Sequence, residues 1–200
     1  MRKLTLGILL LLGFSGTVAA QGDAAAGQAK AAVCGACHGA DGNSMVGSFP
    51  KLAGQNVAYL VKQMKDIKSG DRPVMTMTGQ LDSFSVQDMQ NVAAYFSSQT
   101  LKLGKAKAEL VELGEKLYRS GSKRKGVSAC TACHSPTGSG NAPAGFPSLK
   151  GQHAEYTAAQ LKAFRASERH NDADKIMRDN AELLSDKDIE ALASYISGLR

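Results

Sequence analysis

Tryptophan is absent from this chain of 200 residues, and only 6% of the residues are aromatic. A core so short of rings must rest on Ala, Leu and Val, or be completed by something that is not protein. Past residue 20 there is no long uncharged apolar run, which leaves no candidate for a membrane-spanning helix in the rest of the chain. Alternation of apolar and polar residues, the mark of a half-buried strand, is missing as well. Apolar residues make up 43% and charged residues 21%, a globular composition that argues against long disorder.

What is present begins with a leader. Arg2 and Lys3 precede the uncharged stretch Leu4–Phe14, and small residues follow up to Val18-Ala19-Ala20. A charged start, a short apolar run and a small-residue cleavage site describe a secretory signal peptide (residues 1–20, cut after Ala20), with an uncleaved anchor as the alternative. No cysteine follows the cut, so a lipid anchor there is unsupported. Removal of the leader lowers the formal charge from +6 to +4, and the mature protein is expected to be exported and soluble.

The remainder is written twice. Cys34-Gly35-Ala36-Cys37-His38 recurs as Cys130-Thr131-Ala132-Cys133-His134, and Phe49-Pro50-Lys51-Leu52-Ala53-Gly54-Gln55 recurs as Phe146-Pro147-Ser148-Leu149-Lys150-Gly151-Gln152. Tyr59, Gln63 and Arg72 match Tyr156, Gln160 and Arg169; Met77, Ser85 and Tyr95 match Met177, Ser185 and Tyr195. This is a duplicated domain, and the expected division is 21–104 and 105–200, with the seam near Thr100–Lys105. Apolar residues at helical spacing predict helices over 24–34, 57–68, 86–97, 106–119, 154–167 and 186–198. Ser85 and Ser185, each three residues before an aspartate, are expected N-caps. Loops rich in Gly, Asn, Ser and Pro lie between. The expected fold class is all-α, as two small tandem domains. Gly27 and Gly114 are expected to mark close packing of each first helix against the closing helix near Tyr95 and Tyr195.

Four cysteines in an exported chain ordinarily mean two disulfides, and two Cys-x-x-Cys pairs can make a zinc site. The 92 residues between the pairs are far more than zinc ribbons use. His38 and His134, each directly after the second cysteine, decide the matter: Cys-x-x-Cys-His is the attachment signature of c-type haem. Thiols three residues apart on one helical turn reach the two vinyl groups along a porphyrin edge, and the next residue aims its imidazole at the iron. Two such motifs arise by chance on the order of once in a million sequences of this composition. The expected cofactors are two haem c groups, bound covalently through Cys34, Cys37, Cys130 and Cys133, with His38 and His134 as proximal ligands.

The sixth ligand decides what the iron can do, because a second strong ligand leaves it only electrons to exchange. In the second half Met177 is the only methionine. Met177 lies eight residues before Ser185, and Met77 lies eight before Ser85, so register selects Met77; Met75 remains the alternative. Met64 and Met89 fit core packing. His153 and His170 are expected at the surface, with ligation of the second haem by two histidines as a minor alternative.

At these residues the chain resembles the dihaem cytochrome c4 family over nearly all of its mature length. The motifs that carry this are the two Cys-x-x-Cys-His sites, the Phe-Pro-x-Leu-x-Gly-Gln blocks, Met-Thr-Gly-Gln-Leu-Asp at 77–82, and Ile176-Met177-Arg178 before Leu184-Ser185. The resemblance implies two tandem class I cytochrome c domains, each wrapped around one covalently attached haem, with the haem edges near one another. It implies a periplasmic electron carrier, often loosely associated with the membrane, between redox-protein donors and a membrane-bound oxidase or reductase. It also places Pro50 and Pro147 as the carbonyls that accept the proximal imidazole N–H. Tyr59, Tyr156, Arg72 and Arg169 become candidates for haem propionate contacts, against ordinary helix surface and packing as the alternative.

A haem enzyme of peroxidase type, in which one Met leaves the iron, is the competing expectation; no acid–base residue stands out to serve it. A dithiol or metal-binding module without haem is the third. Residues 105–200 carry the larger basic surplus, and Arg119, Lys123, Arg124 and Lys125 form a candidate docking patch against a simple solvated charge run. Because four propionates offset most of the net charge, nucleic acid is not an expected partner.

Overall fold

The structure is a computed structural model that describes residues 22–200; the expected signal peptide, residues 1–20, lies outside the described residues. The first half folds as α1 (Ala24–Ala31), α2 (Gly35–His38), α3 (Val57–Ser69), a 3-10 turn (Met75–Met77) and α4 (Val86–Ser97). The second half repeats it as α5 (Ala108–Ser120), α6 (Thr131–His134), α7 (Ala154–Arg165), a 3-10 turn (Ala173–Lys175), α8 (Ile176–Glu182) and α9 (Asp186–Gly198). Among the described residues the only β pairings are two isolated bridges, Ser122–Val127 and Asn141–Phe146, and no helix is long and apolar enough to cross a membrane.

Local chemistry sets the boundaries. Asp23 accepts from the amides of Ala25 and Ala26 and so starts α1. Ser85 and Ser185 form complete capping boxes with Asp88 and Asp188, each stabilising its helix by about 1 kcal/mol. The first helix is shorter than the apolar pattern predicts. It stops at Ala31, and a turn intervenes so that Cys34 can open a separate one-turn helix.

Each half is built on a crossing of its first and last helices, α1 on α4 and α5 on α9. The crossing is close because a glycine stands at the contact. A Cβ at Gly27 would lie 2.0 Å from the Asn91 carbonyl oxygen, and one at Gly114 would lie 2.3 Å from that of Ala191 and 2.6 Å from the Tyr195 Cβ. The Gly114–Tyr195 packing is thus as expected, whereas Gly27 meets Asn91, a turn before Tyr95. Behind these crossings lie two cores. Leu60, Leu81, Phe84, Met89, Val92 and Phe96 form the first; Leu117, Tyr118, Ile189, Leu192 and Ile196 anchor the second.

The strap between the halves is bonded on both sides. Buried Asn43 binds the Thr100 carbonyl and the Lys102 amide, while Gly104 donates its amide to the Ser197 carbonyl.

Candidate functional site

Each Cys-x-x-Cys-His stretch is a single helical turn. The His38 amide donates to the Cys34 carbonyl and the His134 amide to that of Cys130, both at 2.9 Å. Both cysteines of a pair therefore sit on one turn with the histidine at its end. No disulfide joins any of the four cysteines, and among the described residues no group of three His, Cys, Asp or Glu side chains could hold a bare metal ion. Burial raises the Cys34 thiol above its ordinary pKa and pushes Cys130 up to about 11.

A glycine carbonyl organises the loop after each motif. Gly42 accepts from the amides of Leu52 and Ala53, and Gly138 accepts from those of Leu149 and Lys150. This folds the loop back and sets a proline carbonyl opposite each imidazole. His38 Nδ1 donates to the Pro50 oxygen at 2.9 Å, and His134 Nδ1 donates to the Pro147 oxygen at 3.0 Å. Both rings are buried, and burial holds their pKa below the usual imidazole value. A neutral ring with Nδ1–H engaged keeps a lone pair on Nε2, the arrangement a metal-ligating histidine needs.

The methionines separate by exposure. Met75 is 88% exposed and Met45 94%, whereas Met77 is half-buried against the first core. Met177 is half-buried at the start of α8. Met89 is buried and Met64 packs beside it, as core packing predicts.

The tyrosines and arginines that the sequence offers for propionates meet across the two halves, not within each. The Arg72 guanidinium donates to Gln63 of its own half and to Tyr156 and Gln160 of the other. Arg169 answers by donating to Gln160, Gln63 and Tyr59. Neither arginine is at the helix surface, Arg72 being 7% exposed and Arg169 8%, and both pack into the contact between the halves. Two buried guanidiniums cannot lose their charge, and their partners here are neutral phenols and amides plus Asn171. The Nε of Arg72 is buried with no hydrogen-bond partner among the described residues. Unpaired buried cations and an orphaned donor call for anionic oxygens, and haem propionates fit that need.

Around this cluster the halves exchange further bonds. Gln55 grips the amide and carbonyl of Ser148, and Gln152 grips those of Lys51, at 2.8–2.9 Å. Asn56 donates to the Phe146 carbonyl, and His153 Nε2 donates to that of Ser44. His153 is therefore not a surface residue; His170 is exposed, as expected.

The family model for cytochrome c matches residues 24–100 and again 111–200. Cytochrome c4 of Pseudomonas aeruginosa is 58% identical over the whole of both chains. The chain belongs to the cytochrome c4 family. The crystal structure of reduced recombinant cytochrome c4 from Pseudomonas stutzeri is 57% identical and superposes with a TM-score of 0.88, covering 90% of this chain and all of the other. A more distant relative, 35% identical over 84% of this chain and 80% of its own, is the thiosulfate dehydrogenase electron acceptor of Stutzerimonas stutzeri. The molecule is thus two tandem cytochrome c domains carrying two covalently attached haem c groups, and it works in electron transfer.

Proposed function

We propose that this dihaem cytochrome is exported to the periplasm after cleavage at Ala20. There it carries electrons from redox-protein donors to a membrane-bound oxidase or reductase, with peripheral association at the membrane. Residues 21–104 form one domain and 105–200 the other. Cys34, Cys37, Cys130 and Cys133 would hold the haems, and His38 with Met77 and His134 with Met177 would ligate the irons. Bound there, the iron supplies one-electron exchange between its ferrous and ferric states.

The observation that carries this reading is the matched pair of buried, neutral imidazoles. In each half a proline carbonyl orients the ring, and the one methionine in repeat register is half-buried. Pro50 and Pro147 raise the basicity of the ligating nitrogen. Arg72, Arg169, Tyr59 and Tyr156 would hold propionates, whose negative charge the two guanidiniums would balance. With a histidine and a methionine of each half available to the iron, the chain would bind and orient the haem and leave no open coordination site, which favours a carrier over an enzyme. The relative named as the electron acceptor of a thiosulfate dehydrogenase supports a dehydrogenase among the donors.

A redox titration followed by optical spectra is expected to count two haems, both with the Met-to-iron absorption and both of relatively high potential. The reduced protein is expected to bind no carbon monoxide. Rapid stoichiometric binding at either haem would replace the carrier by a peroxidase-like reading.

The basic patch is narrower than the sequence suggests. Arg119 is paired with Glu115 at 2.8 Å, and Lys125 is paired with the buried Asp188. That leaves Lys123 and Arg124, both exposed on the turn closed by Ser122 and Val127. Substituting both by Gln is expected to flatten the dependence of the oxidase-reduction rate on ionic strength. An unchanged salt slope removes this turn from the docking surface.

A further inference from the structure

The two methionine segments are not held alike. Met77 ends a single 3-10 turn, and its amide donates to the Val74 carbonyl at 2.9 Å. The only carboxylate close before it in sequence, Asp71, is exposed and accepts instead from the Ser69 hydroxyl. In the second half three additional residues separate the repeat-register arginine, Arg169, from the methionine, and the chain uses them differently. Asp174 and Lys175 both adopt left-handed backbone, with φ of 49° and 59°, a conformation that Asp takes occasionally and Lys rarely. They turn the chain into α8, whose first amides would otherwise lack partners, since Lys175 at the cap position offers no side-chain oxygen.

Asp172 meets that deficit from outside the helix. One carboxylate oxygen accepts from the amides of both Met177 and Arg178 at 3.0 Å, and the other accepts from the Arg178 Nε at 2.8 Å. The Asp172 side chain is 5% exposed, the three bonds are part-buried, and the carboxylate's charge strengthens them. A carboxylate bonded to the backbone of the methionine itself fixes where that side chain starts, and among the described residues no side chain hydrogen-bonds to the backbone of the turn before it.

We propose that Asp172 is the positioning residue for Met177, and that it makes the second distal ligand harder to displace than the first. The inference rests on the reading of Met77 and Met177 as axial ligands. The first haem is then the one that yields its methionine when an outside ligand competes.

The test uses the holoprotein with both haems attached. Proton NMR of the reduced wild type first counts the shifted methyl signals of iron-bound methionines. A single signal would end the two-methionine reading itself, independently of Asp172. Two signals having been seen, the oxidised protein is titrated with imidazole while the Met-to-iron band is followed. Wild type is expected to titrate in two steps, and Met77→Ala should remove the tighter one. Asp172→Ala is expected to tighten the weaker step about tenfold, the size of effect that loss of a helix cap and its ion pair produces, with the other step unmoved. Asp172→Asn, which keeps an oxygen for the two amides but not the pair with Arg178, should fall between. Asp172→Ala and Asp172→Asn both titrating like wild type would overturn the proposal. So would a wild-type protein whose tighter step survives Met77→Ala.

Discussion

Met77→Ala is expected to turn one of the two haems into a carbon monoxide site, from no binding to one equivalent per protein, and to lower that haem's potential. Met75→Ala is expected to change neither. The two residues are a turn apart in sequence, yet Met75 stands in solvent while Met77 packs against the core around Leu81 and Met89. A side chain that is 88% exposed would have to drag its backbone inward to reach a buried iron, breaking the 3-10 turn that holds it. The loss of potential follows because thioether ligation favours ferrous iron. Met177→Ala should do the same at the other haem, with no methionine nearby to take its place. Carbon monoxide difference spectra of the reduced variants read the outcome directly. If Met75→Ala opened a haem and Met77→Ala did not, the assignment would be reversed.

Gly27→Ala is expected to destabilise the first domain by about 3 kcal/mol, at the upper end for forcing one methyl group into a packed contact. The new Cβ would fall 2.0 Å from a backbone carbonyl oxygen of α4, and backbone cannot step aside as a flexible side chain can. The helices must separate, and the contact they lose lies over Val92 and Ala93 in the core. Gly114→Ala should behave similarly in the second domain. Gly70→Ala is the useful contrast, for nothing lies within 4 Å of its would-be Cβ and only its φ of 87° resists substitution. That cost is about 1 kcal/mol. Thermal or denaturant unfolding of the holoprotein variants ranks them; equal stability of the Gly27 and Gly70 variants would show that the crossing is looser than it looks.

Much of the fold was legible because its signals are local. The repeat, the haem motifs, the capping serines and the 3.6-residue periodicity each need only a short window of sequence. The prolines were legible through resemblance, and the loop geometry that brings them to His38 and His134 follows from one glycine carbonyl in each half. What stayed hidden depends on partners far apart. Sequence places Tyr59 and Arg72 together in one half, whereas in space Arg72 meets Tyr156, 84 residues away. His153, expected at the surface, and its repeat counterpart Asn56 each donate to a carbonyl of the opposite half, a pairing no short window of sequence contains. The entry into α8 was hidden for another reason. Left-handed backbone ordinarily advertises itself through Gly or Asn, and here Asp174 and Lys175 take it.

The exchanged glutamines have a consequence for how such a chain holds together. Gln55 does for the second half what Gln152 does for the first, so the contact is isologous, a surface meeting an equivalent of itself. A half-length chain with that surface would pair with its own copy, at a strength set by concentration. The hydrogen bonds involved join part-buried polar groups, the kind that give transient complexes in dilute solution. Joining the halves by a strap of a few residues replaces bulk concentration with an effective one on the order of millimolar. The duplication thus makes permanent an association that two separate polypeptides would hold only part of the time.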